Sequence, residues 1–462
     1  MSFSMVQFAD LESAYDDPEQ IARFVGTVQA HSDDPSLVVG VGDNVAPSAI
    51  SLCTNGQAVQ PVFNACAVAF DTIGNHDFDY GTETLTTAIA EAPQQFLCAN
   101  VFDADGGRFG AQSGVLPWTT TEIDGVRLGI VGVAHPLTAA KSPPAADLTV
   151  TDPIAAVNEA IDALEESGVD EIVCLAHLGD EENHGQGEVD ALAEQTDVDV
   201  ICDGHTHGQP RIEQNNGSLL CRTAGTGIDV NVLTYDGEWS AERISCDGIA
   251  PATAIERTYH QLRTAQGLDE VVATVEKPIE RSSETVFFGE SRLGNFVADA
   301  YRWNGSTTVA LQHSPGMRPG ADLGGEITVA ELIGVVPFDT EVVVTTMTGE
   351  QLRETLVFGG EVLVPEHPEY WFLHVSGATV TFDFADRAIT DLSVGGKPIN
   401  PDEQYTVAMP ENCLEWFPVT VSAKRSLGLQ YTLLTEYARE CGIDPSIDGR
   451  LTLVNQKSTP SA

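Results

Sequence analysis

The chain has 462 residues, length enough for two or three domains, and its 42% share of hydrophobic residues suffices for a sizeable core. Against 69 acidic residues it sets 22 basic ones, five of them Lys, for a net charge of −47. Phosphate polymers and anionic membranes would be repelled by such a surface, which excludes both as partners. The carboxylates are spread along the chain rather than blocked into a tail, so the balance points to a salt-rich cytoplasm, where molar salt shortens the Debye length to about 3 Å.

The first twenty residues, MSFSMVQFADLESAYDDPEQ, hold no basic start followed by an apolar run, and no later stretch offers about 18 uncharged apolar residues. A soluble, cytoplasmic protein is expected. Cysteines 53, 66, 98, 174, 202, 221, 246, 413 and 441 are odd in number and never in C-x-x-C spacing, which favours reduced buried thiols over disulfides or a zinc–thiolate site.

In chain order, short apolar runs alternate with helix-permissive stretches up to about residue 250: MVQFAD, SLVVGVGD, QQFLCAN, VRLGIVGVAH, EIVCLAHLGD, VDVICDGHTH and SLLCRTAG. That rhythm predicts an α/β layered domain over 1–250. DDPEQIARFVGTVQA and DPIAAVNEAIDALEESG have helical apolar spacing after an Asp-Pro start. Residues 251–275 read as a charged connector helix without a strand signal. A second α/β domain is expected over 276–455, with a helix in SRLGNFVADAYRW and paired strands around GATVTFDFADRAITDLSVGGKPI, and residues 456–462 as a frayed tail.

Several runs of the first domain end in polar side chains that can hold a divalent cation. They deliver Asp10 and Glu12, then Asp43, then Asn75, His76, Asp77 and Asp79 in GNHDFD, then His177, then His205 and His207 in GHTH. Taken singly, a strand-end Asp serves as a helix cap and an isolated His as a hydrogen-bonded core residue. Together they form an oxygen and nitrogen set without sulfur, suited to Mn²⁺, Zn²⁺ or iron better than to Ca²⁺. Two such cations sharing a carboxylate would serve phosphate-ester hydrolysis.

These residues resemble the calcineurin-like metallophosphoesterases, and with the second domain they resemble the bifunctional 5′-nucleotidase and UDP-sugar hydrolase family. The resemblance implies a four-layered α/β/β/α metallophosphoesterase domain followed by an α/β domain of the 5′-nucleotidase C-terminal type. It implies two divalent ions, Mn²⁺ or Zn²⁺, with Asp10 and His207 on the first, Asp43 bridging, and Asn75, His177 and His205 on the second. His76 would face the phosphoryl group, oriented by Asp79, while a metal-bridged hydroxide attacks phosphorus.

The family's Asp-x-His has Glu12 in the His position, which shifts the first site towards harder ions such as Mn²⁺ if Glu12 is a ligand; Asp16 or Asp17 are the alternatives. In the second domain Arg318 of HSPGMR matches the family's phosphate-contacting Arg, and Phe338 of PFDT its base-stacking Phe. Trp416 or Phe417 would supply the second stacking aromatic. Arg281 and Arg292 stand near the family's further arginines.

The expected activity is hydrolysis of a small phosphate monoester, foremost a 5′-nucleotide. The alternatives are a phosphodiesterase acting on 2′,3′-cyclic nucleotides or nucleotide sugars, and a catalytically silent nucleotide- or metal-binding protein.

Overall fold

The computed structural model describes residues 2–180, 188–361 and 368–456. Two compact units divide it, Met1–Gln266 and Gly267–Ala462. Of the tail expected over 456–462, all but Gln456 lies outside the described residues.

Two six-stranded sheets build the first unit. Across one sheet run Trp239–Ser245, Asp229–Tyr235, Phe3–Phe8, Ser36–Gly40, Phe70–Asp71 and Gln95–Phe96; across the other, Arg211–Asn215, Ser218–Arg222, Val200–Asp203, Glu171–His177, Val126–Ala134 and Trp118–Ile123. Central strands of both sheets are parallel, as their near-continuous apolar runs require when both faces are covered.

Met5, Val39, Val41 and Leu233 of the first sheet pack between the layers against Leu128, Ile130, Val173, Leu175 and Cys202 of the second. The alternate residues of the second sheet, among them Val131, Cys174 and Ile201, face Val157, Ile161 and Leu164 of the helix Pro153–Glu166 and Leu192 of Glu188–Gln195. On the far side, Phe8 meets Phe24 of the helix Pro18–His31 edge-on at 5.4 Å. The layers therefore run α/β/β/α. Both long helices begin at the Asp-Pro signals, with Asp17 and Asp152 capping N–H groups of the first turn.

The helix expected over 251–275 spans Thr253–Ala265 and belongs to the first unit rather than connecting two domains. It packs on Pro18–His31, with Tyr259 buried and its hydroxyl donating to the Ala58 carbonyl. Residues Val271–Ile279, partly inside that expected helix, form a strand antiparallel to Leu323–Thr328. Most of its side chains are partly or fully exposed, so no apolar alternation marks it.

The second unit centres on a five-stranded sheet of Leu373–Ser376, Val309–His313, Gln404–Pro410, Glu341–Thr348 and Arg425–Leu429. One face, with Ala310, Val342 and Val344, packs under Phe296 of the helix Arg292–Gly305 and Leu433 of Gln430–Cys441. The other face, with Leu311, Val343 and Val407, packs on Val380 and Leu392 of a four-stranded sheet and on Leu352 of the helix Gly349–Phe358. The strands Ala378–Asp383 and Ala388–Val394 pair antiparallel.

All nine cysteines are free thiols, seven of them buried. Among the described residues no helix is long and apolar enough to cross a membrane.

Candidate metal centre

Every expected ligand of the first unit lies at or just past the C-terminal end of a parallel strand. Asp10 and Glu12 follow Phe3–Phe8, Asp43 follows Ser36–Gly40, and Asn75 with His76 follows Phe70–Asp71. His177 ends Glu171–His177, and His205 with His207 follows Val200–Asp203. Strand carboxyl ends are where layered α/β folds leave loops free to converge.

The convergence is strained. Asp10, Glu12, Asp43 and His205 all have positive φ, at 54°, 39°, 50° and 74°, a region that costs a non-glycine residue about 1 kcal/mol or more. Four such residues at one site mean that the surrounding contacts over-determine their positions.

Those contacts are identifiable. The Asp10 carboxylate accepts the His205 N–H at 3.1 Å and lies 3.4 Å from His207 Nε2, which is also 3.4 Å from Glu12 Oε1. Asp43 Oδ1 accepts the His76 N–H at 2.7 Å, while its Oδ2 faces His177 Nε2 at 3.0 Å. Gly74 is required beside it, because a Cβ there would lie 2.1 Å from Asp43 Oδ1. Asp77 accepts N–H groups of Asp43, Asn44, Val45 and Gly74 at 2.8–3.0 Å, so it braces the turn and not a cation.

Ligand atoms of Asp43, His177 and His205 lie within 4.8 Å of one another, as do those of Glu12, Asp43 and His76. Asp43 is common to both groups. Asn75 is buried and its Oδ1 finds no hydrogen-bond partner among the described residues. The His177 Nδ1–H donates to the Val41 carbonyl at 2.8 Å, which leaves the Nε2 lone pair aimed at a carboxylate. Two acceptors facing each other across 3.0 Å, with a third acceptor buried and unmet, fit a divalent cation.

Without a cation, a proton takes that place. Burial opposes charge on both partners, but the Asp43 carboxylate lifts the His177 imidazole to about 10, and His177 in turn holds the Asp43 carboxyl below the usual carboxylate range. Partial burial likewise opposes charge on His207, yet Glu12 and Asp10 raise it to about 9. Metal uptake must displace these protons.

His76 differs from the ligands in having its own carboxylate, with Nδ1 2.9 Å from Asp79 Oδ2. Neither alternative to Glu12 turns to this cluster: Asp16 accepts the N–H groups of Ala49 and Ile50, and Asp17 caps the helix Pro18–His31.

The expected substrate residues of the second unit sort differently. The Arg318 guanidinium lies over the Phe338 ring at 5.5 Å, so these two are together and partly exposed. Trp416 is 43% exposed, edge-on to His313 at 5.0 Å. Phe417 is buried, edge-on against Phe358 within the apolar core, and is no stacking platform. Arg281 is buried, with Nη2 on the Arg318 and Gly334 carbonyls at 3.2 and 2.7 Å; Arg292 donates to the Lys277, Pro278 and Pro445 carbonyls. Both brace backbone.

Sequence reasoning passed over His135, buried with its ring stacked on His205 at 4.8 Å, and the buried pair Asp203 and Arg222. Their signal was available: VRLGIVGVAH, VDVICD and SLLCR each end an apolar run in a polar or charged residue.

Residues 3–209 match the family described as calcineurin-like phosphoesterase, and residues 271–413 match the 5′-nucleotidase, C-terminal domain. The endonuclease YhcR of Bacillus subtilis is 28% identical over 409 residues, 81% of this chain and 32% of that protein. The trifunctional nucleotide phosphoesterase protein YfkN of the same organism is 23% identical over 510 residues, 96% of this chain and 34% of that protein. The chain thus spans about a third of the length of these two relatives. In fold it is similar to a 5′-nucleotidase precursor from Thermus thermophilus, with a TM-score of 0.78 at 23% identity, covering 99% of this chain and 100% of that one. By these matches the first domain is a calcineurin-like phosphoesterase domain and the second a 5′-nucleotidase C-terminal domain.

Proposed function

We propose that this protein hydrolyses phosphate monoesters of the 5′-nucleotide class with two divalent cations, Mn²⁺ or Zn²⁺, in the cytoplasm of a salt-loving cell. The observation that carries the reading is Asp43, whose carboxylate lies within one cluster of ligand atoms with His177 and His205 and within a second with Glu12 and His76, the imidazole that Asp79 holds at Nδ1. Asp10, Glu12 and His207 would hold one cation and Asn75, His177 and His205 the other, with Asp43 between them. Such cations supply Lewis acidity that neutralises phosphoryl charge and activates water.

The chain's own groups do the rest. Asp79 holds His76 at Nδ1, and this imidazole would meet the phosphoryl oxygens or protonate the leaving alcohol. Glu12 adds a hard oxygen donor and favours Mn²⁺ over Zn²⁺. Arg318 and Phe338 offer one cation beside one ring, a pairing suited to a phosphate or carbonyl edge next to a base.

A phosphodiester substrate is the second reading, favoured by the similarity to a relative named a trifunctional nucleotide phosphoesterase. A silent binding protein is disfavoured, since pure binding has no use for an imidazole oriented by a carboxylate.

The test is a hydrolysis screen in molar KCl with Mn²⁺, Zn²⁺ or Mg²⁺, setting 5′-nucleotides against 2′,3′-cyclic nucleotides and nucleotide sugars. Phosphate release from a 5′-nucleotide supports the proposal; turnover of diesters alone moves it to the second reading. No hydrolysis with any metal leaves the silent reading.

A further inference from the structure

A second cluster of buried charge adjoins the ligand loops. Asp203 ends the strand Val200–Asp203 and Arg222 ends its parallel neighbour Ser218–Arg222, the two being direct partners in register and fully buried. The Arg222 Nε donates to Asp203 Oδ2 at 2.5 Å, and its two terminal nitrogens hold the Asp180 carboxylate at 2.5 and 2.8 Å. Arg211 Nη1 donates to the same Asp180 Oδ1 as Arg222 Nη2, at 2.8 Å.

Each of these carboxylates sits on a loop that carries a candidate ligand. Asp203 is two residues before His205, and its Oδ1 accepts the Gly179 N–H at 3.1 Å, two residues past His177. Asp180, three past His177, donates its N–H to the Thr206 hydroxyl at 3.0 Å. The loops touch: Gly179 has φ +69°, and a Cβ there would lie 2.4 Å from Thr206 Oγ1 and 3.1 Å from His205 Cδ2.

A buried ion pair of this kind adds little to stability over well-packed apolar residues, because desolvation offsets the attraction. Its geometry gives another role. We infer that Arg222 is a positioning residue that fastens the loop after His177 to the loop of His205 and His207, holding the imidazoles of His177 and His205 at the spacing of one cation. The inference rests on the reading of those histidines as cation ligands. Groups that orient ligands in this way typically change metal affinity by about 10- to 100-fold when lost.

The test titrates Mn²⁺ calorimetrically into chelator-treated full-length protein in molar KCl, alongside thermal melts. Arg222→Met breaks the clamp but strands two carboxylates and risks misfolding. Asp203→Asn/Arg222→Met removes the buried pair while keeping volume and the acceptor for Gly179, so it reads the clamp in a folded chain. Tyr259→Phe, far from the ligands in sequence and losing only a structural hydrogen bond, controls for destabilisation alone.

The inference predicts that Mn²⁺ affinity of the double variant falls about 10-fold or more while Tyr259→Phe binds like wild type. Wild-type affinity in the double variant overturns the clamp and leaves the metal reading intact. A wild-type protein that takes up no Mn²⁺ overturns both.

Discussion

At the residue scale, two imidazoles beside Asp43 differ in their neighbours. His177 meets Asp43 with the same nitrogen that a cation would need, whereas His76 turns its Nδ1 to Asp79. His76→Ala is therefore expected to lower kcat by about 10²- to 10⁴-fold with Mn²⁺ binding unchanged, as read by steady-state assay beside calorimetry. An equal loss of metal affinity would place His76 among the ligands instead. The second unit offers a pH-dependence free of metal. Burial pushes the imidazoles of His313 and His374 down to about 4, against 6.5 for an unconstrained imidazole. The unfolded chain thus binds more protons, so their contribution to stability is full above about pH 6.5 and is lost as pH falls towards 4. Melts at constant KCl should show the second unit's midpoint dropping across that window, less steeply for His374→Gln; a midpoint flat from pH 7 to 4 would contradict it.

At the element scale, what was legible in the sequence was whatever apolar spacing or a capping residue enforces. The helices Pro18–His31 and Pro153–Glu166 start at their Asp-Pro signals, and the candidate ligands fall at strand ends because apolar runs stop there. The strand Val271–Ile279 was not legible, since a strand exposed on most of its residues carries no alternation. Phe417 misled for the converse reason: an aromatic beside a polar loop has the same sequence signal whether it meets a ligand or Phe358. Nor could spacing reveal that Arg281 and Arg292 donate to backbone carbonyls 14 to 153 positions away. The turn His76–Phe78 depends on one side chain. Asp77 draws four backbone N–H groups from two loops, so Asp77→Ala should cost on the order of 3 kcal/mol and loosen Asp43. A melt within a degree of wild type, with Mn²⁺ affinity unchanged, would show the turn to be held by other contacts.

At the scale of the whole molecule, charge sets an expectation for the solvent that a salt titration checks. With 69 acidic and 22 basic residues, repulsion acts over about 10 Å at 0.1 M salt and over about 3 Å at 1 M. The near-ultraviolet dichroism should be full in molar KCl and diminish on dialysis into dilute buffer; a spectrum unchanged by dialysis would remove the case for a salt-rich cell. If the spectrum does diminish, activity screens run at low salt report an unfolded chain rather than a silent one. The most direct check on the central claim is phosphate release from a 5′-nucleotide in molar KCl with Mn²⁺, wild type against Asp43→Asn. Asp43 is the one residue common to both ligand groups, so hydrolysis by wild type and its loss in the variant is the predicted result. Equal rates in the two proteins would contradict a reaction built on that carboxylate.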